Sequence, residues 1–105
     1  MKPLVWVGDS KDDVKAFPVD ARRDAGFQLG KIQHGEEPDD WKPMSAIGPG
    51  VREIRIREHS GAFRIIYIAR LVDAVYVLHA FQKKTQHTRA SDLALAKERL
   101  RSIPR

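Results

Sequence analysis

The apolar pattern opens with Leu4-Val5-Trp6-Val7, a β-branched and aromatic run closed by Gly8-Asp9, which predicts a first strand. Ser10, followed by Asp12 and Asp13, has the form of a helix start: a hydroxyl cap, then carboxylates at the positive end of the dipole. Pro18 cuts that helix short and suits the first turn of another, which therefore starts near Phe17-Pro18. Val14, Phe17, Ala21, Ala25, Leu29 and Ile32 recur three or four apart and share one face. Arg22, Arg23, Gln28 and Lys31 fall largely on the other, and Gly35 stops the helix.

From Glu36 to Gly50, two acidic pairs, three prolines and two glycines read as a loop, with Trp41, Met44 and Ile47 packing it on the body. Val51 to Arg57 then alternates, Ile54 and Ile56 on one face, Glu53, Arg55 and Arg57 on the other. His59-Ser60-Gly61 is a hairpin turn. Phe63 to Ala69 is apolar apart from Arg64 and reads as a central strand covered on both faces. After a turn at Leu71-Val72-Asp73, Ala74 to Phe81 makes the next strand. Thr88 or Ser91 then caps a last helix with Leu93, Ala96, Leu100 and Ile103 on its apolar side. The order is strand, two helices, a three-strand meander and a helix: an α+β two-layer domain on an antiparallel sheet, spanning residues 1–105 as one unit.

Composition adds one asymmetry. Residues 1–51 hold seven Lys/Arg against nine Asp/Glu, and residues 52–105 hold twelve against five, so a net charge of +5 conceals a C-terminal half at +7. Basic charge gathered on one part of a small domain is the footprint of a polyanion partner, although it also serves solubility. The absence of cysteine excludes disulfides and thiolate metal sites and fits a reducing cytoplasm. No apolar stretch approaches the ~18 residues of a spanning helix, and neither a signal peptide nor a membrane partner is expected.

Two constellations carry candidate chemistry. The hairpin presents Arg52, Arg55, Arg57 and Arg64, whose planar forks suit phosphate. Arg52 and Arg57 equally suit the protection of a strand edge. Arg64 interrupts an apolar strand, so it either reaches a cleft or forms a buried ion pair with Glu53 or Asp73. The second constellation, His79 to His87, ends a strand with Lys83, Lys84, Gln86 and His87. Phe81 or Tyr67 is available to stack on a base, and His87 is of a type that titrates near neutrality. His79, in phase with Val75, Val77 and Phe81, reads as a packed core histidine. There is no Gly-rich phosphate loop, His-x-Glu zinc pattern or serine elbow, and the four histidines lie far apart, so no metal and no cofactor is expected. RNA can be cut without metal by its own 2′-hydroxyl, given a base, cations and an acid.

Val51-Arg52-Glu53-Ile54-Arg55-Ile56, Gly61-Ala62-Phe63-Arg64-Ile65-Ile66-Tyr67, Leu78-His79-Ala80-Phe81-Gln82-Lys83-Lys84-Thr85-Gln86 and Asp92 to Leu100 together resemble the phage-related HigB-like branch of the RelE toxin superfamily. The resemblance implies a RelE-like fold and the toxin of a type II toxin–antitoxin pair. Such a toxin is an endoribonuclease cleaving mRNA in the ribosomal decoding site, restrained by a helix-turn-helix antitoxin. By position it assigns catalysis to Arg55, Arg64, Lys83 and Lys84, while the residues themselves offer His87 as the acid or base and Arg52, Arg57, Phe81 and Gln86 for RNA contact. Glu53 stands where a lysine is often found, and both tyrosines lie within strands, so the family's C-terminal tyrosine acid has no counterpart. The competing expectations are a non-catalytic RNA- or antitoxin-binding module on the same fold and a small phage structural protein.

Overall fold

Five strands form one sheet in the order β1-β5-β4-β3-β2 in a computed structural model that describes residues 1–104. The strands are β1 (Leu4–Trp6), β2 (Trp41–Pro43), β3 (Val51–Glu58), β4 (Gly61–Ile68) and β5 (Val75–Lys83). The helices are α1 (Ser10–Lys15), α2 (Val19–Gln33) and α3 (Ala90–Arg101). The α+β expectation and the element order hold. The sheet is mixed, however, because β1 lies parallel to β5, pairing Leu4 with Val75 and Trp6 with Val77. All other pairs are antiparallel.

The alternation of the meander sorts its side chains into two cores. On one face Ile54, Ile56, Phe63, Ile65, Tyr67, Val75, Val77 and Ala80 meet Val14, Phe17, Ala21, Ala25, Leu29 and Ile32, the helical stripe read from the sequence. On the other, Val51, Ile66, Ile68, Tyr76 and Leu78 meet Ala96, Leu100 and Ile103, with Met44 and Ile47 from the long connection. Helices thus lie on both faces, so the sheet is a middle layer and the two-layer expectation gives way. Isoleucines buried on both sides of β4 leave two apolar surfaces that need cover.

Several local details depart from the sequence pattern. Asp9 is the N-cap of α1 and Ser10 lies inside it, buried, its hydroxyl donating to the Val77 carbonyl at 3.0 Å. Arg89, rather than Thr88 or Ser91, precedes α3. The region read as a loop contains β2, a short edge strand closed by Pro43, which can sit there because an edge position tolerates a missing N–H. A register shift after Ile66 pairs Ile66 with His79 and Tyr67 with Val77, leaving Leu78 as an extra residue in β5. His79 and Phe81 therefore face away from Val75 and Val77, not in phase with them.

Gly50 has φ +80°, and a Cβ there would stand 2.1 Å from Cδ of Arg70. Gly26, inside α2, has open space around it. Gly50→Ala should cost about 1–2 kcal/mol through the left-handed backbone, whereas Gly26→Ala should add up to about 1 kcal/mol by helix propensity. Urea unfolding of the two variants checks the opposite signs.

Candidate functional site

Where α3 ends its cover, the second face of the sheet turns from apolar to cationic. The strand register arranges it in rungs. Lys42, Glu53, Ile66 and His79 lie opposite one another across β2 to β5; Arg55, Arg64 and Phe81 form the next rung; Arg57, Ala62 and Lys83 the last. Period-two alternation puts all of these on one face. Arg55, Lys83 and Phe81 are half-buried and Arg57 is exposed, so the rungs open to solvent at the end distal to α3.

At the centre is Glu53, which is 0% exposed. Its Oε1 lies 3.5 Å from Nε of Arg64 and 4.0 Å from Nζ of Lys42, and its Oε2 accepts a hydrogen bond from the Thr88 hydroxyl at 3.3 Å. Arg64 is 3% exposed and donates from Nη1 to the Phe63 carbonyl at 3.0 Å. Of the two readings of Arg64, the buried ion pair is therefore present, with Glu53 and not Asp73. Asp73 is engaged elsewhere, accepting from the Tyr76 hydroxyl at 2.5 Å. Neither Arg64 Nε nor Glu53 Oε1 has a hydrogen bond of good geometry, so the pair is held by charge more than by a directed bond.

The cations perturb one another. Burial pushes the Arg64 guanidinium down, Glu53 opposes this, and Arg55 and Arg57 reinforce it. An arginine keeps its charge through such a shift. Lysine has more room to respond: burial depresses Lys83 below 10.5, neighbouring Arg64, Lys42 and Arg55 lower it further, and Glu53 holds it up. An ammonium depressed by other cations is a familiar way to obtain a base or acid that works nearer neutrality.

Lys84, Gln86 and His87 are exposed on the connection between β5 and α3. Thr85 donates to the His87 carbonyl at 2.6 Å, a local turn within that segment. Arg52 does not join the cluster. It faces the opposite side, beside Tyr67, where it pairs with Glu37 at 2.7 Å and lies 3.9 Å from the Trp41 ring centre. Arg52 and Tyr67 line a separate cleft of about 630 Å³ with Lys2, His34 and Arg70. His79 is buried, as read, yet polar in its contacts. Its Nε2 meets Asp92 at 2.7 Å, its Nδ1 lies 3.6 Å from Asp13, and its ring stacks on Phe81 with centroids 5.3 Å apart.

Two residues of the face, Lys42 and Thr88, escape sequence reasoning, and a third, Glu53, enters it only as a possible partner of Arg64. Lys42 sits in a segment with only three strand residues, too few to show alternation. Glu53 has the pattern of a solvent-facing strand position, and nothing local signals its burial. Thr88 reads as a helix cap but spends its hydroxyl on Glu53.

The model of the family described as phage derived protein Gp49-like (DUF891) matches residues 12–101. The chain belongs to the phage-derived Gp49-like family. This family is in general of RelE-like toxin type, and the α+β fold agrees with that. The match takes in every residue of the cationic face. No match was found among curated proteins. Among the described residues, no helix is long and apolar enough to cross a membrane.

Two outcomes follow for stability. Glu53→Gln leaves the Arg64 charge buried without its partner and should cost about 3–5 kcal/mol, much of which Glu53→Gln/Arg64→Met should recover; chemical denaturation of both variants is the measurement. Lys83 has the opposite sign. Its folded pKa lies below the unfolded value, so its charge is a penalty in full below the folded pKa, and stability rises as pH climbs from there towards 10.5. Lys83→Met should melt higher than the parent at neutral pH, with the advantage shrinking at alkaline pH in thermal scans.

Proposed function

We propose that this Gp49-like protein is the toxin of a type II toxin–antitoxin pair, of the phage-related HigB-like branch, and a metal-independent endoribonuclease acting on mRNA. The observation that carries the reading is the pair of adjacent rungs bearing Arg55, Arg57, Arg64 and Lys83 on one sheet face, in a family of RelE-like toxin type. A phosphodiester is the ligand such a face suits: Arg55 and Arg57 offer forked donors at its rim, and Phe81 offers a ring at its floor on which a base can stack.

In the proposed reaction the RNA 2′-oxygen attacks the adjacent phosphorus, forming the O2′–P bond as the P–O5′ bond breaks. The products are a 2′,3′-cyclic phosphate and a 5′-hydroxyl. Lys83 in its neutral form accepts the 2′-hydroxyl proton, a role suited to its lowered pKa. Arg55 and Lys84 stabilise the charge that develops on the phosphoryl oxygens, and Arg64 adds its field from its buried position on the same face. His87 donates the proton to the departing 5′-oxygen. Arg57 and Gln86 bind flanking RNA, while Arg52, turned to the other face, belongs to a different surface. The messenger is taken in the ribosomal decoding site, and a helix-turn-helix antitoxin is the restraining partner.

Mapping of cleavage on translated messages tests the reading. The wild-type chain should cut ribosome-bound mRNA and arrest growth on overproduction; intact messages and unimpeded growth would overturn it. The rate should rise with pH through an ionisation below 10.5, and Lys83→Arg, which cannot deprotonate, should lose that limb together with roughly 100-fold or more in rate.

A further inference from the structure

The proposed cleavage draws on two groups of residues of different character. Arg55, Arg57, Arg64 and Lys83 stand on paired strands, whereas Lys84, Gln86 and His87 stand on a connection between β5 and α3 whose side chains are largely exposed. Catalysis at a shared phosphate needs both parts in register, because a displacement of about 1 Å can cost on the order of 100-fold in rate. A strand sets its residues through the ladder. The connection lacks one, and its Thr85–His87 bond is internal to it. Among the described residues, one side-chain hydrogen bond joins it to the sheet: Thr88 Oγ1 to Glu53 Oε2, at 3.3 Å.

The other oxygen of the same carboxylate faces Arg64 at 3.5 Å and Lys42 at 4.0 Å. Glu53 is completely buried and therefore cannot itself reach an RNA strand. One carboxylate thus holds a strand arginine with one oxygen and the connection with the other. We infer that Glu53 and Thr88 are positioning residues, a clasp that sets the connection bearing Lys84 and His87 against the strand cations. Thr88 lies one residue beyond His87, so the clasp acts at the shortest useful lever on that imidazole.

The inference rests on the proposed cleavage for its functional half, and its structural half can be read without it. Thr88→Val keeps the side-chain shape and leaves Glu53 and Arg64 in place, while Thr88→Ser keeps the donor. Backbone amide relaxation of the full chain should show residues 84–87 loosening in Thr88→Val, with order parameters falling below about 0.6, while Thr88→Ser stays rigid and β3 to β5 are unchanged in both. On RNA, Thr88→Val should lose roughly 10-fold to 100-fold in kcat with little change in KM, and Thr88→Ser should restore the rate. Unaltered order in 84–87 of Thr88→Val overturns the clasp whatever the activity. Should the wild-type chain leave RNA intact, the cleavage reading fails, and the relaxation data still decide whether the clasp exists.

Discussion

A carboxylate with no exposure to solvent is tolerable in a small domain only when surrounding charge offsets the cost of drying it. Glu53 meets that condition by drawing Arg64 into the sheet, Lys42 onto an edge strand and Thr88 back from the start of α3. The same arrangement keeps Arg64 charged beneath the surface and gathers further cations around it. Arg55, Arg57 and Lys83 repel one another, and they can be this close because a negative charge lies beneath them. The site is therefore an ion cluster with Glu53 and Arg64 buried and the other cations around them, and Glu53 upholds the charge of both Arg64 and Lys83.

The shape of the fold confines this cluster to one end. α3 covers the part of the second face that Ile66, Ile68, Tyr76 and Leu78 make apolar. Beyond its start Phe81 is the one large apolar side chain on the rungs, and the other strand positions there, Ala62 apart, carry charge. The bulge at Leu78 matters to this division. It sends Leu78 into the core below α3 and His79 towards Asp92 and Asp13, and it returns Phe81 and Lys83 to the cationic face. A strand without the extra residue would turn Lys83 to the side of Phe63 and Ile65.

Much of this was legible in the sequence for a physical reason: helical and strand periodicities are local. The stripe from Val14 to Ile32 and the alternation from Val51 to Arg57, which sets Arg55 and Arg57 on one face, appear in the structure nearly residue for residue. Features set by distant partners were not legible. The parallel pairing of β1, the strand character of Trp41–Pro43 and the register shift in β5 depend on neighbours far away in sequence. Arg52 misled because it was grouped with the other arginines by nearness in sequence, although the alternation sets it on the face of Ile54 and Ile56. Thr88 misled because a polar residue in a polar position gives no sign of burial, and Glu53 was legible only through Arg64, as one of two candidate partners.

The pairing of Leu4 with Val75 joins residues separated by most of the chain. During synthesis the first strand leaves the ribosome with no neighbour, and it stays so until β5 has followed it out. The meander, whose strands are joined by short turns, closes at smaller loop entropy and can form first. Its cationic rungs thus come together before the opening strand locks the edge of the sheet. The cationic surface depends on short local closures alone, and the long-range closure only completes the far edge of the sheet.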